Sequence, residues 1–443
     1  MAWPAMLRWG GSRSPAVPRC APASPGAAGR ASAGSLAPVA PERVQGWQPS
    51  PGPDLWLVGA ILALTGFGVV MVFSAGAVFA AKTYGDSTHF LKHEAAYAGA
   101  GLLAFLLGMR LDYASYRKVT YPLLFLSFAL LAVVLKVGPA INGAIRWFRV
   151  GSLSFQPSEL AKFALVLYLS VLLARKAEKV RDFSMGFLPP LVMTGLFLGL
   201  LLKQPDLGTA VIIGVTALGL MFVAGTRTSY IVISVLVAAP LGWKVFITGE
   251  AWRMKRILAY LYPWQYRRDI GYQLYESLIS VGSGGVWGQG LGQGHQKLFF
   301  LPEAHTDFIL AVVGEELGLV GVLAVLAAFA LLVWRGMRAA MRARDPYGCY
   351  LAFGITCLFG LQALVNMCVV LGLLPTKGLP LPLVSYGGTA LVMSLFMAGV
   401  LANISAPALE PSSSRRWRRW RTRRGRSKNR RHGSDVQVVV EVR

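Results

Sequence analysis

The sequence predicts an all-α integral membrane protein with ten transmembrane helices, both termini in the cytoplasm and one long extracellular loop between helices 7 and 8. Of the 443 residues, 55% are hydrophobic and only 14% are charged, whereas soluble domains carry about 25% charged residues. The apolar residues fall into long runs that approach the roughly 20 helical residues needed to cross a bilayer. This composition excludes a soluble domain, a collagen-like chain and a disulfide scaffold.

Ten apolar segments follow one another and define a membrane domain over residues 55–405. They start near Leu55, Ala95, Thr120, Ser158, Gly186, Gly208, Ser229, Thr306, Tyr350 and Leu383. Residues 1–50 are rich in Ala, Pro, Gly and Ser without periodicity, which predicts a disordered cytoplasmic leader. Residues 406–443 are rich in Arg, which predicts a basic cytoplasmic tail in contact with anionic membrane lipids. Nucleic-acid binding is the weaker alternative for this tail, so no nucleic-acid partner is expected.

The positions of Lys and Arg predict the orientation of these helices. Ten spans place both termini on one side, together with the loops that carry Arg117, Arg175, Arg227 and Arg338. Cytoplasmic loops are enriched in Lys and Arg, so this side is expected to be the cytoplasm. The loop between the seventh and eighth spans, residues 248–305, is then extracellular.

This extracellular loop is the longest, and it is basic despite its outer position. Its cations are Arg253, Lys255, Arg256, Arg267, Arg268 and Lys297, and its aromatic residues include Trp252, Tyr260, Tyr262, Trp264, Tyr266 and Tyr272. Arg and Lys bind phosphate groups, and aromatic rings suit the headgroup interface or a sugar. The loop therefore favours an anionic substrate that approaches from outside. Because long loops are less bound by the charge rule, incidental charge is the alternative.

Ionisable residues in or at the ends of membrane spans are costly, which makes them the first candidates for a functional site. Asp307, at the outer start of the eighth span, lies with Glu303 and His305 beside the basic loop. Helix capping by Asp307, or by the threonine before it, is the structural alternative. Glu315 and Glu316 lie about 12 Å deeper along the helix. There, an ion pair and a substrate role are equally compatible with the sequence.

Further ionisable residues stand near the outer ends of other spans. Glu159 and Lys162 are three residues apart on one helix face, where they can form a salt bridge. Asp206 precedes a span and suits an N-cap, while Arg146 can hold a phosphate. Lys377 lies in a segment whose prolines forbid a continuous helix. Irregular backbone at membrane depth is tolerated only where protein or a cavity covers it, so this segment is expected to line a site.

Motifs of familiar soluble enzymes are absent. The glycines of residues 288–294 lack a dinucleotide-binding register, and there is no Walker A, His-Glu-x-x-His or Gly-x-Ser-x-Gly sequence. The four cysteines have no paired spacing, so no metal site is predicted. The residues alone indicate an external, cationic, acid-containing site for an anionic substrate, and they leave open whether the protein is an enzyme or a transporter.

Four stretches of the chain resemble the SEDS family of bacterial shape, elongation, division and sporulation proteins, namely FtsW, RodA and SpoVE. They are NGAIRWFRVGSLSFQPSELAK, KQPDLGTA, GYQLYESLISVGSGGVWGQGLGQGHQKLFFLPEAHTDFILAVVGEELG and LLPTKGLPLPLVSYGG. They occur in the expected order within residues 55–405. The PTKG sequence at residues 375–378 is more similar to the FtsW and SpoVE branch than to RodA.

The resemblance implies a peptidoglycan glycosyltransferase that polymerises lipid II, an undecaprenyl-pyrophosphate-linked disaccharide peptide, at the outer face of the cytoplasmic membrane. It implies that Asp307 is the general base on the acceptor 4-hydroxyl in an inverting transfer. The expected substrate-binding residues are Arg146, Glu159, Lys162, Asp206, Lys377, His305 and Ser385. No cofactor is certain, and a divalent cation, Mg²⁺ or Mn²⁺, is left open as an aid to departure of the pyrophosphate.

The resemblance also implies partners and leaves a second function open. The expected partner is a class B penicillin-binding protein, a transpeptidase, alongside other divisome proteins. The expected location is the bacterial inner membrane at the division septum, with sporulation as the other setting. The alternative function is a lipid II flippase, which needs polar residues along a path to both leaflets. Most candidate charges stand at the outer ends of spans, which favours the polymerase.

Overall fold

A computed structural model describes residues 52–139, 144–150, 153–243, 251–269, 271–297 and 300–406 of the chain. The predicted leader and all but the first residue of the predicted tail lie outside the described residues. The described part is predominantly helical, with twelve α-helices and one small hairpin.

The helices follow the apolar segments of the sequence. They are α1 (Leu55–Tyr84), α2 (His89–Arg110), α3 (Tyr116–Val137), α4 (Pro157–Arg175), α5 (Leu188–Lys203), α6 (Leu207–Val223), α7 (Thr228–Trp243), α8 (Ala251–Leu261), α9 (Tyr272–Ser283), α10 (Ile309–Met341), α11 (Pro346–Val370) and α12 (Thr389–Ser405). Strands β1 (Phe148–Val150) and β2 (Leu153–Phe155) pair antiparallel between α3 and α4. Helices α8 and α9 both fall in the predicted extracellular loop.

Six helical segments are long and apolar enough to cross a bilayer, judged by length and composition. They are Leu55–Tyr84, Tyr113–Val137, Pro157–Arg175, Phe183–Lys203, Ile309–Met341 and Pro346–Val370. Three shorter helices are also apolar, at Leu207–Val223, Thr228–Pro240 and Thr389–Ser405. The chain is a multi-pass membrane protein, and the count of ten spans stays a prediction.

Helix α2 belongs to neither group because polar residues near its start lower its mean hydropathy. It packs closely against α12 through glycines. A Cβ atom at Gly108 would lie 2.7 Å from the Phe396 carbonyl oxygen, and one at Gly101 would lie 2.5 Å from Leu395 Cδ1. Small residues allow this close approach of two helices within a membrane.

Helices α4 and α11 form the interior of the bundle. Side chains on nearly every face of α4 are buried, and α4 packs against α3, α6 and α11. A helix that is buried all round belongs to the core. The polar side chains that α4 and α11 carry are therefore held away from lipid and are fixed by their neighbours.

Helix α10 contains a break at Gly318, where the backbone has φ 66° and ψ −161°. The glycine-rich loop after α9 packs into this break and satisfies the exposed backbone groups. Leu319 N donates to the Gly285 carbonyl over 2.9 Å, and Gln289 N donates to the Glu315 carbonyl over 3.0 Å. A Cβ atom at Gly318 would lie 2.6 Å from the Val286 carbonyl oxygen, so the position requires glycine on two grounds.

The two acids inside α10 are engaged by the same loop. Glu316 is fully buried and pairs with Lys297 Nζ at 2.6 Å, and it also accepts a 2.7 Å hydrogen bond from Ser74 Oγ. Glu315 accepts from the backbone N–H groups of His295 and Gln296, at 2.6 and 3.1 Å. The sequence is compatible with an ion pair or a substrate role for these acids. In the structure, Glu316 forms an ion pair with Lys297.

Candidate active site

A cavity of about 920 Å³ opens beside the hairpin, between the start of α6, helix α8, the turn before α10 and the segment before α12. Ionisable residues from all of these elements line it: Arg146, Arg149, Asp206, Arg256, Glu303, Asp307 and Lys377. Four cations and three acids thus line one cavity. This combination suits an anionic ligand together with proton transfer.

The segment of residues 371–388 forms one wall of the cavity and is not helical. Its prolines remove backbone donors and prevent a continuous helix, as the sequence predicts. Helix α12 therefore begins at Thr389, and the expected start of the last span near Leu383 is wrong by six residues. Gly388 before it has φ 50°, a conformation that favours glycine.

Asp307 stands in the turn before α10 and projects into the cavity. The helix begins at Ile309 with Phe308 as N-cap and without a side-chain cap, so the capping interpretation of Asp307 is wrong. Within the described residues, its carboxylate has no hydrogen-bond or ion-pair partner. Burial, reinforced by the nearby Glu303 carboxylate, raises the pKa of Asp307 to about 7, against the opposing effect of Arg146.

Arg146 and Asp206 lie together in the cavity lining. Arg146 Nη1 is 3.9 Å from Asp206 Oδ1, and Arg146 also donates to the carbonyl oxygens of Gln204 and Pro205. Asp206 is the N-cap of α6, because its Oδ1 accepts from Thr209 N at 3.3 Å. The N-cap interpretation of Asp206 is therefore confirmed, and the pair leaves part of the Arg146 guanidinium facing the cavity.

Glu159 and Lys162 form the expected pair within α4, with 2.9 Å between Lys162 Nζ and Glu159 Oε1. Each residue is 3% exposed, and neither lines the cavity. Lys162 instead donates to Gln362 Oε1 on α11 over 2.9 Å. The structure thus places this predicted substrate-binding pair behind the cavity wall.

His305 and Ser385 also lie outside the cavity lining. The His305 ring packs against Phe90, with 4.5 Å between centroids, and burial lowers its pKa. The carbonyl of His305 accepts from Tyr386 N at 3.0 Å, and Ser385 Oγ accepts from Leu381 N at 2.9 Å. The His305 contact joins the turn before α10 to the segment of residues 371–388, and the Ser385 contact lies within that segment.

Two polar residues of the site went unpredicted. Gln362 and Asn366, both on α11, hold the backbone of the cavity wall through hydrogen bonds from their side-chain amides. The sequence carries a usable signal for them, since two amides four residues apart in an otherwise apolar helix must share a face and find partners.

The described residues contain no group of three or more His, Cys, Asp or Glu side chains that converges as a metal site. Asp206 is engaged as a cap, and Asp307 and Glu303 alone make an incomplete ligand set for a hard divalent cation. The described cavity residues therefore do not fit a divalent cation as they stand.

The fold and the cavity define a class: a helical, multi-pass membrane protein with a cationic cavity that holds a half-buried carboxylate. The chain belongs to the FtsW/RodA/SpoVE family, because the model of that family, described as cell cycle protein, matches residues 55–409. The resemblance seen in the sequence motifs is therefore confirmed.

Relatives along most of the chain lie on the FtsW and SpoVE branch. A protein of Geobacter metallireducens named probable peptidoglycan glycosyltransferase FtsW is 49% identical over 354 residues, which cover 80% of this chain and 94% of that protein. Stage V sporulation protein E of Bacillus subtilis is 41% identical over 356 residues, covering 80% of this chain and 97% of that protein.

Solved structures share the fold. One chain from a peptidoglycan synthase complex that coordinates polymerization and crosslinking is 30% identical, with a TM-score of 0.67, and the match covers 81% of this chain and 99% of that one. The rod shape determining protein RodA of Thermus thermophilus is 29% identical with a TM-score of 0.58, covering 80% of this chain and 96% of that one.

Proposed function

We propose that this peptidoglycan glycosyltransferase polymerises lipid II into glycan strands, with Asp307 as the general base. The observation that carries the proposal is the Asp307 carboxylate, which is half-buried, faces a cavity lined by four cations and has a pKa raised to about 7. A base whose pKa lies near the working pH is best suited to take a proton in the transition state.

The reaction is a single displacement at the anomeric carbon of the donor. The 4-hydroxyl oxygen of the acceptor sugar attacks that carbon, and its proton passes to the Asp307 carboxylate. The bond from the anomeric carbon to the pyrophosphate breaks as the new glycosidic bond forms, and the lipid pyrophosphate leaves with the bonding electrons. Attack from the side opposite the leaving group inverts the configuration.

The cations of the cavity would stabilise the charge on the departing pyrophosphate. Arg146, Arg149, Arg256 and Lys377 all line the cavity. Burial lowers the pKa of Arg256, and electrostatic repulsion from the positive charge of Arg146 lowers it further. A bound anion would relieve this repulsion, which supports Arg146 and Arg256 as a pyrophosphate clamp.

The orientation and the domain organisation belong to the same proposal. Ten spans, cytoplasmic termini, a leader over residues 1–50 and a basic tail over residues 406–443 follow from the charge distribution. The cavity then opens to the outer face, beside the long loop of residues 248–305. This position suits a substrate whose sugar and pyrophosphate are presented outside the membrane.

A class B penicillin-binding protein is the proposed partner, with other divisome proteins at the division septum. The structural neighbour from a peptidoglycan synthase complex supports a partner that crosslinks the new glycan. The flippase alternative is not favoured. Glu315 and Glu316, which would mark a deeper polar path, are instead engaged by the loop around Lys297.

The decisive experiment measures glycan formation from purified lipid II by the protein co-purified with its cognate penicillin-binding protein. We expect polymer from the wild type and none from folded Asp307→Asn. Asp269→Asn, which removes an exposed carboxylate of the loop of residues 248–305, is the matched control and should retain activity. Equal polymer from wild type and Asp307→Asn would remove Asp307 from catalysis. Lipid II transfer across liposomes without any polymer would instead support the flippase.

A further inference from the structure

Helix α11 carries two buried amide side chains that the proposed chemistry does not use. Gln362 is 6% exposed and Asn366 is 2% exposed. They stand four residues apart and therefore lie on one face of the helix. A buried amide is costly unless its hydrogens are donated to acceptors. The acceptors found here all belong to segments that form the cavity wall or carry Asp307.

Asn366 joins the two segments that meet at the proposed base. Its Nδ2 donates to the Asp307 carbonyl oxygen over 2.8 Å and to the Leu379 carbonyl oxygen over 2.7 Å. A side-chain amide has two N–H groups, so one hydrogen is committed to each segment. Loss of this side chain would release both carbonyls together.

Gln362 fixes the next carbonyl along the wall and links it to a buried ion pair. Its Nε2 donates to the Pro380 carbonyl oxygen over 2.9 Å, while its Oε1 accepts from Lys162 Nζ over 2.9 Å. Lys162 is in turn paired with Glu159. Hydrogen bonds therefore connect the Lys162–Glu159 pair on α4, through Gln362, to the cavity wall. The pair is thus linked to the site although it does not line the cavity.

The position of this wall matters because it lies against the Asp307 carboxylate. A Cβ atom at Gly378 would be 3.0 Å from Asp307 Oδ2. Lys377, the neighbouring residue, also lines the cavity. A shift of the Leu379 carbonyl would thus move a cation and the backbone relative to the base at the same time.

We propose that Asn366, supported by Gln362, is a positioning residue that holds Asp307 and residues 377–380 at a fixed separation. Neither amide touches the substrate in this role. The consequence for catalysis rests on the proposed function, whereas the separation can be measured without any activity. The two parts of the proposal therefore have separate tests.

The first test measures the separation by crosslinking. Asp307→Cys combined with Gly378→Cys should form a disulfide on mild oxidation, detected as a crosslinked peptide by mass spectrometry. Adding Asn366→Leu, which keeps the approximate shape of the side chain and removes both donors, should lower the crosslink yield several-fold. An unchanged yield would overturn the positioning role.

Asn403 provides a matched control. It is also an asparagine that joins two segments, since its Nδ2 donates to the Met109 carbonyl over 2.8 Å and its Oδ1 accepts from Tyr113 N over 3.1 Å. It lies about 20 Å along α12 from Ala390, which lines the cavity. Asn403→Leu should leave the crosslink yield unchanged, so an equal fall in both variants would point to general loosening and would also overturn the proposal.

The second test separates turnover from binding in the complex with the penicillin-binding protein. A displacement of about 1 Å in an active site costs about a hundredfold in rate, so Asn366→Leu should lower kcat by about that factor. KM should stay within about threefold, because no contact to the substrate is lost. If the Asn366→Leu protein does not accumulate in the membrane, Asn366→Ser, whose shorter side chain has one donor, replaces it. We expect the same fall in kcat with the same small change in KM.

Three outcomes are distinguishable. Lower crosslinking with unchanged kcat would overturn the catalytic importance of the separation. If Asn366→Leu and Asn403→Leu lower kcat equally, the role of Asn366 is structural and the positioning role is overturned. Equal polymer from wild type and Asp307→Asn would remove Asp307 from catalysis and leave the crosslinking result standing.

Discussion

The Asp307 carboxylate experiences opposing influences from its neighbours. Burial and the negative charges of Glu303 and Asp206 favour its protonated form, whereas Arg146 favours the ionised form. The balance raises its pKa to about 7, so a substantial fraction is ionised at neutral pH. The arrangement gives one side chain the basicity that proton transfer from a sugar hydroxyl requires.

Polymerisation should rise with pH through the pKa of this group. Below about pH 7 the carboxylic acid is neutral and cannot accept the acceptor proton, so kcat/KM should fall as pH decreases from about 8 to about 5.5. Initial rates across this interval, with lipid II and complex held constant, provide the measurement. A rate that is flat or that falls as the pH rises would contradict Asp307 as the base.

Glu303→Gln should move this pH profile in a defined direction. The Glu303 charge contributes to the raised pKa of Asp307, so its removal should shift the midpoint to lower pH. The maximal rate at high pH should change little if Glu303 acts only through its charge. A midpoint that stays in place would show that burial alone sets the pKa.

Of the eight site residues expected from the sequence, Arg146, Asp206, Asp307 and Lys377 line the cavity, and the other four do not. The spacing of residues along a helix predicts how deep in the membrane a side chain lies, but it does not predict which side chains of other helices it contacts. Glu159 illustrates the limit, because a functional residue and a buried ion-pair partner have the same sequence signature. The role of Asp307 as base stays a prediction until activity is measured.

At the scale of single elements, the break in α10 is the feature that most constrains the chain. Gly318→Ala should destabilise the protein by about 2 kcal/mol or more, because L residues are strained at positive φ and the new Cβ would meet the Val286 carbonyl. Unfolding in mixed micelles measures the effect. Gly66→Ala, in open space on α1, is the control and should be neutral or stabilising by up to about 1 kcal/mol.

The buried pair of Lys297 and Glu316 should show strong energetic coupling. Lys297→Met leaves a buried carboxylate without its partner and should cost about 3–5 kcal/mol of unfolding free energy. Adding Glu316→Gln should recover part of that loss, which a double-mutant cycle quantifies. Lys92→Met, which breaks the exposed contact with Asp86, should change stability little. Simple additivity of the two buried substitutions would contradict the coupling.

Element positions were largely predictable. Each of the ten apolar segments contains a helix that starts within six residues of the expected position. The two helices inside the long loop were missed, since α8 and α9 are short and amphipathic and lack the apolar length of a span. The late start of α12 has a local cause, because prolines and Gly388 keep the preceding segment extended along the cavity.

For the whole molecule, the proposed orientation can be tested by labelling. Gln289→Cys, in the exposed part of the long loop, should react with a membrane-impermeant thiol reagent on intact spheroplasts. Glu178→Cys, exposed in the loop between α4 and α5, should react only after the membrane is opened. The wild-type chain measures background from native cysteines. The opposite pattern would invert the topology and place the cavity on the cytoplasmic side.

The packing of α2 against α12 has a consequence for the order of events during synthesis. About 280 residues separate the end of α2 from the start of α12. At roughly 5–20 residues per second, the ribosome needs between about 14 and 56 seconds to supply that partner. Throughout this interval the face of α2 that carries Gly101 and Gly108 has no α12 to pack against. We expect chaperones or lipids to shield it until α12 is inserted, and the nascent protein to be more vulnerable to quality-control proteases before α12 emerges than after.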